Sequence, residues 1–172
     1  MSRNAKILID LAVLAAVYGI WLLPKWRPLG RRTLAAYTLM YGCLASIALF
    51  TLMPVLAALP FCFDHPYVSM HMAPFEDVIL HHGDYVRQIV LNIALFVPFG
   101  VLLPLCRACH GKRCSFWRCL LLTLALSVGI EVVQPLLHAF RSSDITDVIT
   151  NTTGGMLGYA LWAIVHACRK KE

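Results

Sequence analysis

The sequence predicts an all-α fold, a polytopic transmembrane helix bundle of about five spans with a membrane-associated outer loop. Three observations predict it. Five apolar runs approach the ~20 residues that cross a bilayer core as a helix. Mean hydropathy is +0.71, with 59% hydrophobic and only 14% charged residues. Basic residues collect in alternate connections between the runs, the pattern that fixes topology in membrane proteins. A soluble domain of 172 residues exposes too much of its surface to hide all five runs. The net charge of +6 lies mainly in those short connections, which points to lipid headgroups and argues against nucleic acid.

The first run, Ile7 to Leu23, contains Asp10 and ends at Pro24, with Trp21 and Trp26 as interfacial anchors. No small-x-small cleavage site followed by a polar mature domain is seen, so it reads as a retained span. The connection from Pro24 to Arg32 carries Lys25, Arg27, Arg31 and Arg32 and reads as cytoplasmic. The second run extends from about Leu34 to Leu59, broken near its end by Pro54 and Pro60, with Gly42, Ala45 and Ser46 as small contact surfaces.

The stretch from Phe61 to Gln88 is the longest polar one and carries Asp64, Glu76, Asp77 and Asp84 against Arg87. Its Pro66, Pro74, Phe75 and histidines predict a folded loop resting on the outer face. The third run, Ile89 to Leu105, starts with Asn92 near its head and holds Pro98 and Gly100, which bend a membrane helix where neighbours satisfy the freed carbonyls. Another basic connection follows, Arg107 to Arg118. The fourth run is roughly Cys119 to Leu137 and the fifth roughly Ile145 to Cys168.

Of the 15 Lys and Arg residues, all but Arg3, Lys6, Arg87 and Arg141 fall in the two basic connections and the C-terminal tail. The positive-inside bias therefore predicts an outside N-terminus and a cytoplasmic C-terminus. That direction brings Asp10, Asn92, Glu131, Gln134 and Asn151 to within roughly 10 Å of the outer boundary, at ~1.5 Å rise per residue. Polar groups inside spans face protein or a wet cavity rather than lipid, so one shared outer-leaflet cavity is predicted.

Glu131 and Gln134 share one face of the fourth helix. Asp147, Asn151, Gly154 and Gly158 form a stripe on the fifth, and the glycines predict close approach of the fourth helix. Asp144 also has a structural reading as an N-cap, with Asp147 at N3. Asn92 and Asn151 have one as backbone hydrogen-bond partners. The binding hypothesis puts Arg87 and Arg141 at the rim to receive an anionic group, with Glu131, Gln134, Asp147 and Asn151 making directional hydrogen bonds beneath. The partner it implies is a membrane lipid or a lipid-linked envelope precursor.

Other motifs are weaker. Cys106, Cys109 and His110 form C-x-x-C-H, a haem-attachment spacing that the topology puts on the wrong side of the membrane. With Cys114 and Cys119 the string offers zinc-type donors, but reduced thiols without a cofactor are the expectation. Seven cysteines scattered over spans and both sides compose no disulfide framework. His65, His71, His81, His82 and His138 lie on the outer side without a metalloprotease spacing, so neither a metal nor a cofactor is predicted. G-x-S-x-G and P-loop signatures are missing from the sequence.

The string NIALFVPFGVLLP from Asn92 to Pro104, IEVVQ from Ile130 to Gln134 and RSSDITDVITNTTGGMLGY from Arg141 to Tyr159 closely resemble the VanZ-like family, as does MAPFEDVI from Met72 to Ile79. The resemblance covers roughly residues 70–160. It divides the chain into residues 1–33, a first transmembrane helix with its basic cytoplasmic loop, and residues 34–172, the VanZ-like membrane domain. It implies a small multispanning protein of the bacterial plasma membrane, with a founding member associated with teicoplanin resistance. The motif positions it carries over are Asn92, Glu131, Gln134, Arg141, Asp144, Asp147 and Asn151, followed by Gly154, Gly155 and Gly158.

The expected function is accordingly binding of an amphiphilic or lipid-linked envelope component, with an effect on glycopeptide response. Two alternatives stand beside it. One is a membrane enzyme acting on a lipid or cell-wall precursor headgroup, with Glu131 or Asp147 as general base. The other is a non-catalytic structural partner in an envelope complex, its protein partners unknown.

Overall fold

The computed structural model describes residues 2–64, 66–81, 83–137 and 143–169. Within them the chain is a helical membrane bundle without a β-sheet. Helix α1 (Arg3–Ala16) starts on the Ser2 cap, whose hydroxyl accepts from Ala5 N, and runs on through a π-helical segment, Val17–Leu22, into α2 (Leu23–Trp26). A turn at Gly30, whose φ of 91° suits a residue without Cβ, leads into α3 (Arg31–Thr51). After the polar stretch with its short α4 (Glu76–Ile79) come α5 (Tyr85–Ala108), α6 (Phe116–Leu137) and α7 (Ile145–Arg169).

Four helical stretches, Arg3–Leu29, Arg31–Thr51, Tyr85–Ala108 and Phe116–Leu137, are long and apolar enough to cross a membrane. The fifth predicted span, α7, has comparable length at 25 residues and opens on a polar half, with Asp147, Asn151 and four threonines ahead of Gly154. Its polar and small residues turn inward: Thr146, Thr150, Asn151, Gly154, Gly155 and Gly158 are all buried. Helix α7 is the axis that α5 and α6 pack around.

The α5–α7 seam is a contact between backbones. A Cβ added to Gly100 would lie 1.9 Å from the Gly155 carbonyl oxygen, one on Gly154 would lie 2.3 Å from Ile93 O, and one on Gly158 would lie 2.1 Å from Val97 O. The sequence predicts that this glycine stripe faces the fourth helix, α6; the structure gives Gly154 and Gly158 to α5 instead. The reason is angular. At about 100° per residue, Asp147, Gly154 and Gly158 fall within about 40° of one another, and Asn151 and Gly155 lie further round. Those two face α6, Asn151 meeting Ser127 and Gly155 meeting the Thr123 side chain.

Beside the seam, Ile47 of α3, Phe96 and Phe99 of α5 and Ile130 of α6 form the apolar core. The first helix joins through aromatic rings and a few hydrogen bonds. Tyr41 donates to Leu14 O at 2.7 Å, and the Tyr18 and Thr38 hydroxyls pair at 2.9 Å. Asp10, buried, accepts from the backbone N–H groups of Val55 and, at 3.1 Å, Leu56. It thereby caps the chain just past α3. Its carboxylate is used there, so Asp10 does not join the polar cavity predicted for it.

The polar stretch folds back over the α6–α7 junction. His71 N donates to Ser143 O at 2.8 Å, and Ile145 N donates to His71 O at 3.0 Å. Phe75, in the left-handed region at φ 59°, gives its N–H to Thr146 Oγ1, and His71 Nε2 lies 2.6 Å from Glu76 Oε2.

Candidate functional site

Between α3, α5, α6 and α7 lies a cavity of about 620 Å³. Each helix supplies a different part. Helix α6 ends there with Glu131 and Gln134, 1% and 2% exposed, i,i+3 on one face. Helix α7 begins there with Asp147 and, one turn on, Asn151, 2% exposed. Helix α5 contributes Arg87, Gln88 and Asn92 from its first two turns, with Asp84 just before it. Its remaining wall is apolar: Phe50, Leu91, Ala94 and Leu95, with Thr51 at the end of α3. Phe50 and Leu91 are exposed, so the cavity opens sideways between α3 and α5.

The polar wall is internally braced. The Asp147 carboxylate Oδ1 accepts from Asn92 Nδ2 at 2.7 Å and Gln88 Nε2 at 3.0 Å, which ties α7 to α5. Asn151 Nδ2 donates to Ser127 Oγ at 3.0 Å, which ties α7 to α6. Gln134 Nε2 donates to Thr51 O at 3.3 Å, reaching α3. Glu131 Oε2 accepts from Asp144 N at 3.1 Å, while its own carbonyl accepts from Ser143 Oγ. Asn151 Oδ1 is buried without a hydrogen-bond partner among the described residues. A buried amide oxygen left so costs about 1–3 kcal/mol, which a hydrogen-bond donor on a bound molecule would offset.

The structure thus brings Arg87, Asn92, Glu131, Gln134, Asp147 and Asn151 to one cavity. Arg87 sits at its exposed rim, 3.9 Å from Asp84. Asp144, expected among the ligand contacts, does not line the cavity. Its Oδ1 accepts from Thr146 N at 2.7 Å, the N-cap bond that answers the unpaired amides at the start of α7. Arg141 and the histidines His65, His82 and His138 lie outside the described residues.

A family model described as VanZ/LLP1 matches residues 5–166. The chain belongs to the VanZ/LLP1 family. Among its relatives, "Protein VanZ" of Enterococcus faecium is 34% identical over 102 residues, a match that covers 59% of this chain and 57% of that protein. The chain therefore spans little more than half the length of the curated relative it matches. No solved structure matches the chain. Membership in the VanZ/LLP1 family and the helical architecture together make this a multi-pass membrane protein.

Sequence reasoning missed several members of this family member's polar cluster. The polar run predicts Gln88 at the end of a loop, yet α5 starts at Tyr85 and puts Gln88 and Asn92 one turn apart on the Asp147 side. Ser127 is one turn before Glu131, a spacing visible in the sequence that its position within an apolar run concealed. Thr51 participates through its carbonyl, which carries no sequence signal.

At the other end, the C-x-x-C-H string is occupied by ordinary contacts. His110 Nδ1 donates to Cys106 O at 3.3 Å, and its Nε2 lies 2.8 Å from the Tyr37 hydroxyl. Among the described residues no three His, Cys, Asp or Glu side chains gather as metal ligands. Burial pushes the Cys114 thiol up from its ordinary value, with Arg107 and Arg118 pulling the other way.

Proposed function

We propose that this VanZ/LLP1-family protein binds an amphiphilic or lipid-linked envelope component in the cavity between α3, α5, α6 and α7. The observation that carries the reading is the cavity's division into a polar wall and an apolar mouth. Asn92, Glu131, Gln134, Asp147 and Asn151 form the first; Phe50, Leu91, Ala94 and Leu95 form the second. A molecule with a hydrogen-bonding head and a hydrocarbon tail satisfies both halves, entering sideways with its tail still in the bilayer. Arg87 at the rim meets an anionic group on the head.

In this reading the cavity lies in the outer leaflet, the N-terminus is outside and the C-terminus is cytoplasmic, because the cation-rich connections at the other end stay inside. By capturing an envelope component the protein alters the response to glycopeptides such as teicoplanin. A membrane-impermeant maleimide applied to intact cells leaves Cys109 unlabelled if that orientation is right.

The deciding experiment isolates the protein in native lipid and identifies co-purifying amphiphiles by mass spectrometry. Wild type retains a species that Asn151→Leu and Glu131→Gln lose while staying folded. Equal retention by all three overturns the reading. Product formation by the pure protein, lost in Glu131→Gln with binding kept, would instead make Glu131 a general base in an enzyme.

A further inference from the structure

At the end of the bundle opposite the polar cavity, an open groove of about 320 Å³ is lined by Leu22, Trp26, Tyr37, Met40, Tyr41 and Cys106. Trp26 organises it, with ring centroids 5.3 Å from Tyr37, 6.5 Å from Tyr41 and 6.3 Å from Tyr18. The hydroxyls of these tyrosines are already engaged: Tyr41 with Leu14 O, Tyr18 with Thr38 and Tyr37 with His110. What the groove offers an occupant is ring faces, thioether and aliphatic carbon. The lining is predominantly apolar, so a hydrocarbon chain fits.

The groove's surroundings carry one sign of charge. Lys25 and Arg27 flank Trp26, Arg31 and Arg32 open α3 about one and a half turns before Tyr37, and Arg107 follows Cys106. The stacked Tyr37 and His110 rings, 5.6 Å apart, bring the connection bearing Lys112 and Arg113 to the same place. The sequence has no Asp or Glu between Asp10 and Asp64, nor between Asp84 and Glu131, so none of these elements supplies a carboxylate. Aromatic rings at the headgroup level beneath uncompensated Lys and Arg suit an anionic lipid. The same cations count against the competing use of an aromatic cluster, a cage for a quaternary ammonium.

We infer that this groove is a second, separate lipid site, which seats one acyl chain of an anionic phospholipid while Lys25, Arg27 and Arg31 hold its phosphate. It is independent of the polar cavity, sharing no lining residue with it.

The test is native mass spectrometry of the full chain in detergent, titrated with phosphatidylglycerol or with phosphatidylcholine of the same chains. The wild type binds phosphatidylglycerol at least tenfold more tightly than phosphatidylcholine. Arg27→Gln and Arg31→Gln each weaken it about fivefold, the effect of removing one surface cation from an anionic headgroup. Arg3→Gln, a cation lost at the opposite end, leaves it unchanged. Met40→Trp, or Leu22→Trp should the first variant not fold, fills the groove and weakens binding with every charge in place, and glycerol phosphate without chains does not compete. Equal binding of the two lipids, an Arg3→Gln effect as large as that of Arg27→Gln, or full binding by a folded groove-filled variant overturns the proposal.

Discussion

The two halves of the bundle are joined by different means. Helix α7 meets α5 and α6 through glycine backbone and buried polar side chains, with Gly100, Gly154, Gly155 and Gly158 leaving no room for a Cβ. The first helical stretch, α1 with the π-helical segment that continues it, meets α3 through rings and hydroxyls, with Tyr18 stacked on Tyr41 at 5.5 Å and much of its surface exposed. In lipid, where burying apolar surface gives helices little reason to associate, close backbone approach and hydrogen bonds supply the specificity. The polar cavity is built on the first kind of joint and the aromatic groove on the second. A site that must hold five polar groups in register needs a seam that cannot slide.

The sharpest way to break this contrast is to put bulk into the seam. Gly158→Leu drives a side chain into Val97 O, which is backbone and cannot rotate away. It should cost at least ~3 kcal/mol, the top of the ordinary overpacking range, read as loss of the folded species in a detergent unfolding titration. Gly155→Ala meets the Thr123 side chain first, so its milder loss should be partly restored by Thr123→Ala.

A smaller effect follows from Asp10→Ala. Removing the acceptor of the Val55 and Leu56 N–H groups should cost about 1.5–3 kcal/mol and loosen the chain just past α3, raising hydrogen exchange there while α5–α7 keeps its protection. On the polar side of the comparison, Asn92→Leu removes one side-chain donor to Asp147, Gln88 supplying another. A loss of about 1–3 kcal/mol in the same titration is expected, and an unchanged midpoint would mean that the Asn92–Asp147 bond adds nothing to the glycine seam.

The smallest expected change separates the ring-packed joint from its surroundings. Tyr18→Phe deletes one exchangeable hydroxyl pair and should cost about 0.5–1.5 kcal/mol, leaving the aromatic cluster in place. At the same end, a protein keeping only Cys114 should react slowly with maleimide at pH 7. Because the thiol is pushed up, the thiolate is the minor form there, and the rate should go on climbing with pH beyond the ordinary thiol range.

Much of this architecture was legible in residue patterns, and where it was not the reason is specific. Apolar runs located the helices within a few residues; the second run overshot, since α3 stops at Thr51, ahead of Pro54. Spacing along a helix revealed that Glu131 and Gln134 share a face and that Asn151, Gly154 and Gly158 recur. It did not reveal which neighbour each faces, because Gly158 on the α5 side and Asn151 on the α6 side lie only about 20° apart around α7. Asp10 looks like Asp147 in a sequence, yet it is consumed by nearby backbone amides that its spacing does not announce, whereas the position of Asp144 just ahead of a helix carries its N-cap reading in the sequence itself.

The seam of Gly100, Gly154 and Gly158 has a consequence for divergence. A joint made of backbone holds no reserve of volume: there is no larger or smaller residue to exchange, so the angle between α5 and α7 cannot drift by degrees as it does in ordinary cores. The mouth at Phe50, Leu91 and Leu95 is under no such restriction. Chains built on this scaffold would accordingly inherit the same polar wall and differ in tail selectivity, a separation of constant chemistry from adjustable fit.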